Sequence, residues 1–399
     1  MFDFHARVPQ EELNRRLAAL REKLTATDPD WALAIFNHKI SLYYLTGTMQ
    51  EGVLTLTPDQ AILWVRRSFQ RAQTESALDD VRPMRSFRTL GEYFTDVPAC
   101  VYLETKTATL DWLAMVRKYL PFDSWKPVTP LLNSLRAVKS EYEIECIRKA
   151  GTLIAEVTQT VLPQIVREGM SEAELCGAVY LELLRRGSMG VSRYNQPLGE
   201  EAGGYGGFGE NTLIPAAFDG PDGCVGTCVA MQSIGSAARL LRCGDLILMD
   251  QPGGALGYHA DKTVVYYYGR LTDDPRADTI REAYELCVRI EKWASAQLKP
   301  GAIPEQVYLQ AVDMVPEKYQ KGFMSGGKFL GHSIGLTMDE SPVLAKSFRE
   351  PMQEGMVFAV EPKIALDGIG MVGTENTYLV TPSGGQSLTG SILPLTELG

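Results

Sequence analysis

Two apolar stretches of this chain fold back on themselves, and each carries a carboxylate on both arms. CGDLILMD (243–250) is an apolar run ending on Asp250, and DKTVVYYYG (261–269) is one opening on Asp261. Glycines 253, 254 and 257 between them let the chain reverse. An antiparallel return centred near Ala255 sets Asp250 and Asp261 opposite one another. MVFAVEPKI (356–364) and MVGTENTYLV (371–380) flank Asp367-Gly368, a strong hairpin signal, and their return brings Glu361 opposite Glu375 to within one residue. Carboxylates that face each other in apolar strands repel unless something positive lies between them. Solvent-facing edge positions account for one such pair and fit two poorly.

Histidine is scarce, with His5, His38, His259 and His332 as the whole complement. His332 lies in the Gly-flanked segment GHSIGL (331–336), between the two hairpins. Alone it reads as structural; joined to two carboxylate pairs it completes an oxygen-rich set with one imidazole. Such a set suits Mn²⁺, Fe²⁺, Co²⁺ or Zn²⁺ better than a thiolate metal. Four carboxylates are too many anions for one divalent ion and suit two ions that share bridging oxygens. The seven cysteines are dispersed, and the Cys224/Cys228 pair lacks the further ligands of a closed zinc site, so they read as ordinary thiols.

The remaining chain sets the context. At 399 residues and 45% hydrophobic content it is long enough for two domains with real cores. Its 39 basic and 49 acidic residues give a net charge of −10, without a basic run, so nucleic acid is not an expected partner. The opening MFDFHARVPQEELNRR lacks the apolar core of a signal peptide, and no stretch is apolar for long enough to span a bilayer. A cytoplasmic protein without membrane partners is the expectation.

Residues 1–135 mix a helical pattern at 10–24 and another at 107–120 with short strands at 31–36, 53–57, 61–65 and 100–104, a smaller α/β domain. A boundary near 131–140 leaves 136–399 as a second domain. Capping boxes SEYE (140–143) and SEAE (171–174) open helices expected to run toward Arg167 and to stop at Gly187. From 188 to 226 the chain is Gly-rich and irregular; it reads as a loop shaping the mouth of a site and not as a phosphate loop. Beyond 243 strands dominate, with helices near 275–297 and 304–315.

These pieces resemble the family of methionine aminopeptidase, prolidase, aminopeptidase P and creatinase. The resemblance lies in GDLILMDQPGGALGYHADKT (244–263), GHSIGLTMDESP (331–342), GMVFAVEP (355–362) and GTENTYLV (373–380). LRAVKSEYEIECIRKAG (135–151) and SLYYLTG (41–47) resemble the prolidase branch, so the similarity extends over most of the chain. It implies an α/β (α+β) fold, with a C-terminal pita-bread domain preceded by a smaller creatinase-like domain, and assembly as a homodimer. It also implies two divalent ions on Asp250, Asp261, His332, Glu361 and Glu375. Together these would activate a bridging water and polarise a scissile carbonyl, with Glu361 passing the proton to the leaving group.

Three positions depart from the family pattern. Ser233 stands where a first substrate-binding histidine is usual, seventeen residues before Asp250; Val264 replaces an arginine; and Asp339 replaces the histidine of a His-Glu-x-Pro run. Strand alternation sends His259 to the same face as Asp261, which offers a substitute imidazole. Asp339 is either a general base or binder of a cationic group, or a residue that fixes His332. The expected function is hydrolysis of an Xaa-Pro dipeptide or a related small amide. The alternatives are a lyase like the dimethylsulfoniopropionate lyases of this scaffold, with Asp339 as base, and a non-enzymatic binding module.

Overall fold

The computed structural model describes residues 6–195, 199–216 and 220–399. The chain divides into two compact units, Met1–Arg136 and Ala137–Gly399.

The first unit is built on a six-stranded mixed sheet. Its strands are β1 (Ala34–Phe36), β2 (Gly52–Leu56), β3 (Ala61–Val65), β4 (Val81–Pro83), β5 (Cys100–Leu103) and β6 (Ser124–Pro127), in the spatial order β4-β3-β2-β1-β5-β6. The helices at Gln10–Thr27 and Leu110–Arg117 appear where the apolar spacing predicts them, the second capped by Thr109. The unexpected strands are the two edges, β4 and β6, each short and ending on a proline, which cannot donate to a further ladder.

In the second unit both capping boxes form. Ser140 and Glu143 exchange bonds of 3.3 and 3.0 Å, and Ser171 and Glu174 bonds of 3.2 and 2.7 Å. The first helix, Glu141–Glu156, widens into a π-turn at Val157–Val161 before ending at Ile165, short of Arg167. Pro163 lies just beyond that turn and has no N–H to continue the ordinary ladder.

The expected loop at 188–226 contains more structure than its composition indicates. Residues 196–198 and 217–219 of it lie outside the described residues. The rest includes β7 (Val191–Arg193), paired with β8 (Glu200–Ala202), and β9 (Tyr205–Phe208). β9 joins the central sheet because Gly206 and Gly207 let it approach its neighbours closely. A Cβ at these positions would meet Cys176 Sγ at 2.5 Å and Thr212 Cγ2 at 2.8 Å.

Two long hairpins then carry the domain. β10 (Leu246–Asp250) and β13 (Thr263–Tyr268) pair in a four-stranded sheet with β9 on one side and the terminal strand on the other. Between them the same hairpin continues as a separate ribbon, β11 (Gly253–Ala255) and β12 (Tyr258–Ala260). The second hairpin repeats the plan. A five-stranded sheet contains β14 (Phe329–Ser333), β15 (Glu340–Ala345), β16 (Val357–Val360), β19 (Asn376–Thr381) and β20 (Gly384–Ser387). Its ribbon is β17 (Lys363–Leu366) with β18 (Gly370–Gly373), and β21 (Thr396–Leu398) lies parallel to β13.

Both faces of β10 are covered. Leu246 and Leu248 pack with the helix Ala277–Gln297, while Ile247 and Met249 pack with the helix Glu172–Arg185. That burial is why LILMD reads as an unbroken apolar run. Among the described residues no helix is long and apolar enough to cross a membrane.

Candidate metal centre

Each carboxylate expected at the site sits where a sheet ladder gives way to a ribbon. Asp250 ends β10, Asp261 lies between β12 and β13, Glu361 between β16 and β17, and Glu375 between β18 and β19. Side chains at these breaks point into the space between the two hairpins, and all four are buried.

The registers differ in how well they were anticipated. On either side of the second break, Val360 lies opposite Asn376 and Lys363 opposite Gly373, so Glu361 and Glu375 face each other as expected. In the first hairpin Asp250 lies opposite Thr263, two residues from the expected Asp261. The turn is Leu256-Gly257, both with positive φ (50° and 86°), one step beyond the assumed centre. A two-residue offset preserves the face, so Asp261 still joins the cluster.

The contacts are close. Thr263 Oγ1 lies 3.0 Å from Asp250 Oδ1 and 2.7 Å from Glu375 Oε2. Thr377 Oγ1 accepts the Asp261 N–H at 2.8 Å and lies 3.0 Å from the Asp261 carbonyl, which pins that backbone. His332, on β14 opposite Ala359, brings Nε2 to 3.5 Å from Glu361 Oε1, with Nδ1 3.3 Å from the Ser333 carbonyl.

Two members of the cluster were not foreseen. Lys363 is fully buried, and its Nζ lies 3.2 Å from Asp250 Oδ2, 3.0 Å from Glu361 Oε2 and 3.0 Å from Glu375 Oε2. It also lies 3.0 Å from Asp222 Oδ1, a buried carboxylate from the irregular segment after 219. An ammonium has three protons, and the first three carboxylates take them. Asp222 therefore interacts with it by charge alone. The available signal was a lysine in an otherwise apolar strand, two residues after Glu361.

Five buried carboxylates face one ammonium, and the electrostatics reflect it. Burial pushes Asp222 up to about 6 and Glu361 up to about 7, although Lys363 pulls both the other way. Asp261 and Glu375 are raised well above the usual carboxylate range by burial and by the neighbouring acids.

The departures from the family pattern fall in different places. Asp339 lines the cavity beside the cluster and accepts the Asn195 N–H at 2.6 Å. Ser233 is buried with its hydroxyl 3.1 Å from Met231 Sδ, and Val264, on β13, packs in the core with the helix Glu172–Arg185. The expectation for His259 is corrected. It is wholly buried, its Nε2 accepts the Arg193 N–H at 3.1 Å, and its Nδ1 lies 3.1 Å from the Gly335 carbonyl. Burial lowers it to about 4, a neutral structural imidazole. Alternation fails as a guide because β12 and β13 belong to different sheets, with Asp261 at the break.

The cavity holds about 540 Å³ and is lined by Tyr194, Tyr205, Phe329, Met338 and Val343 together with Asp250, Asp261, His332 and Glu361. Lys328 contributes a cation to its wall.

Residues 145–382 match the model of metallopeptidase family M24, and residues 16–138 match the creatinase/prolidase N-terminal domain. This chain belongs to metallopeptidase family M24. Membership makes it a peptidase-like metallohydrolase of pita-bread fold and implies a divalent metal cofactor. Among M24 relatives, the Xaa-Pro dipeptidase of Pyrococcus horikoshii is 24% identical over 382 residues, spanning 94% of this chain and 97% of that protein. A putative dipeptidase of Bacillus subtilis, YkvY, is 30% identical over 258 residues, 65% of this chain and 62% of that one. The solved structure of an Xaa-Pro dipeptidase from Bacillus anthracis superposes with a TM-score of 0.81 at 20% identity, covering 97% of this chain and 100% of that one.

The M24 cofactor fits residues present here. Asp261, His332 and Glu375 each offer a ligand atom, all within 4.8 Å of one another. Glu375 Oε1 is buried without a hydrogen-bond partner, an oxygen left available for a cation. Two carboxylates and one imidazole are hard-to-borderline donors, suited to Mn²⁺, Fe²⁺, Co²⁺ or Zn²⁺.

Proposed function

We propose that the chain hydrolyses a small amide, with Xaa-Pro dipeptides as the first substrate class to test, in the cavity beside Asp261, His332, Glu361 and Glu375. The observation that carries this reading is the convergence of Asp261, His332 and Glu375, whose ligand atoms all lie within 4.8 Å of one another, at a cavity lined by Asp261 and His332 in an M24 fold. The names of the relatives, Xaa-Pro dipeptidase and putative dipeptidase, support the substrate class.

In this reading Asp261, His332 and Glu375 would hold a divalent ion, whose chemistry there would be to polarise the scissile carbonyl and lower the pKa of a water toward neutral pH. Glu361, next to His332, takes the proton from the attacking water and returns it to the departing amine. Thr263 orients Glu375 and Asp250 by its hydroxyl. Lys328 meets the carboxylate of a dipeptide, and the aromatic wall excludes water from the reacting bond. A cavity of 540 Å³ lies in the range of small-molecule sites and accommodates a dipeptide. The active species is a homodimer, which light scattering of the purified protein tests.

Purified protein supplied with Mn²⁺, Co²⁺, Fe²⁺ or Zn²⁺ should release proline from dipeptides. Failure with every metal and every dipeptide tried would sink the hydrolase reading. Asp339 in the cavity wall favours one second reading, a lyase that removes a proton beside a carboxylate. That version requires acrylate to appear from dimethylsulfoniopropionate, and its absence removes it.

A further inference from the structure

Lys363 sits at the centre of the carboxylate cluster rather than at its rim. Asp222, Asp250, Glu361 and Glu375 come from four separate stretches of chain, and all four place an oxygen 3.0–3.2 Å from its Nζ. Three of these contacts are hydrogen bonds and the fourth, to Asp222, is a close charge contact; a divalent ion would draw the same oxygens to about 2.0–2.2 Å. The side chain is wholly buried. The fold also makes room for its stem. Gly373 is its register partner, and a Cβ there would lie 2.6 Å from Lys363 Cγ and 2.7 Å from the Pro362 carbonyl.

We propose that the Lys363 ammonium takes the place of one of two metal ions, so that the chain binds a single divalent ion, at Asp261, His332 and Glu375. This deepens the hydrolase reading above and rests on its metal site. An ion at the position of Nζ would have to displace a side chain that already spends all three protons on Asp250, Glu361 and Glu375. Mutual repulsion of the two cations adds to the steric exclusion. Asp250 then serves as a positioning residue tied to Lys363 and Thr263, and not as a metal ligand. An ammonium has no vacant orbital for a shared water, so the arrangement with a water bridging two ions does not form here.

Metal content measured by mass spectrometry after equilibration with Mn²⁺ or Zn²⁺ tests this directly. Wild type should hold one ion per chain, and Lys363→Ala, which opens the position, should hold one more. Two ions in wild type overturn the proposal, and so does Lys363→Ala showing no gain. A wild type without metal beside a Lys363→Ala variant with one leaves the substitution of ammonium for ion standing and removes the hydrolase reading instead. Should the variant fail to fold, anomalous diffraction from Mn²⁺-soaked wild-type crystals decides. A single peak among Asp261, His332 and Glu375 supports the proposal, and a peak among Asp222, Asp250 and Glu361 overturns it.

Discussion

At Thr263 one hydroxyl lies within hydrogen-bond reach of two carboxylates, and it has only one proton to give. Its position opposite Asp250 on the neighbouring strand makes it the natural fixture for Asp250 and Glu375. Replacing such an outer partner generally weakens metal binding by about 10–100-fold. Thr263→Val, which keeps the shape and removes the hydroxyl, should therefore weaken Mn²⁺ binding by that range in calorimetric titration. Thr263→Ser should restore most of it; equal losses in both variants would mean that packing, not the hydroxyl, is responsible. Lys328 gives a second test at this scale. It lines the cavity, and Lys328→Ala should raise KM for dipeptides with little change in kcat if it meets the substrate carboxylate.

The elements bring these residues together through breaks in otherwise regular hairpins, and the breaks depend on small residues. Gly373→Ala places a Cβ 2.6 Å from Lys363 Cγ and should destabilise the chain by about 1–3 kcal/mol in urea unfolding. Combining it with Lys363→Ala should recover only part of that loss, because the Pro362 carbonyl remains 2.7 Å away. The helix Ala277–Gln297, which packs beneath β10, begins beside another device. Asp274 accepts from the Arg276 N–H and guanidinium and from the Tyr267 hydroxyl. The Arg276 guanidinium above all holds its carboxyl well below the usual range. A depressed carboxyl stabilises the fold above the unfolded value near pH 4 and loses that contribution as pH falls through the folded value. Arg276 is partly exposed, so screening reduces the effect to about 1–2 kcal/mol. Asp274→Asn should be less stable than wild type by that amount at pH 7, and the gap should close as the medium is acidified below pH 4.

For the whole molecule, the proposed metal site would link ion binding to folding of the Ala137–Gly399 unit, because Asp261, His332 and Glu375 come from distant segments that meet only when it is folded. An ion at one hundred times its Kd adds about 2.7 kcal/mol to a folded state that alone binds it. For a unit of this size that corresponds to a rise of about 5–11 °C in Tm. Thermal scans with and without Mn²⁺, or before and after chelation, should show this shift. Glu375→Ala, which removes one of the three proposed ligands, should abolish the shift. The same unit shows why β9 escaped a reading of the chain. YGGF has weak strand propensity, and it forms a strand because the helix Glu172–Arg185 and β10 hold it, with Glu172 accepting the Phe208 N–H at 2.8 Å.

Much of the second domain was legible locally. The capping boxes at Ser140 and Ser171 follow from hydroxyl and carboxylate spacing, and the Glu361–Glu375 pairing from a turn with a recognisable Asp-Gly. The Asp250–Asp261 register was legible only to within two residues, because the true turn puts Leu256 at positive φ, where leucine gives no signal. His259 was misread because alternation holds within one strand and stops at a change of sheet. By itself the sequence determined that four carboxylates and His332 could meet in one place, since residue type and hairpin spacing are properties of short stretches. Only the tertiary structure decided that Lys363 and Asp222 share that space, because a side chain crossing between two hairpins is fixed by packing that no local pattern encodes.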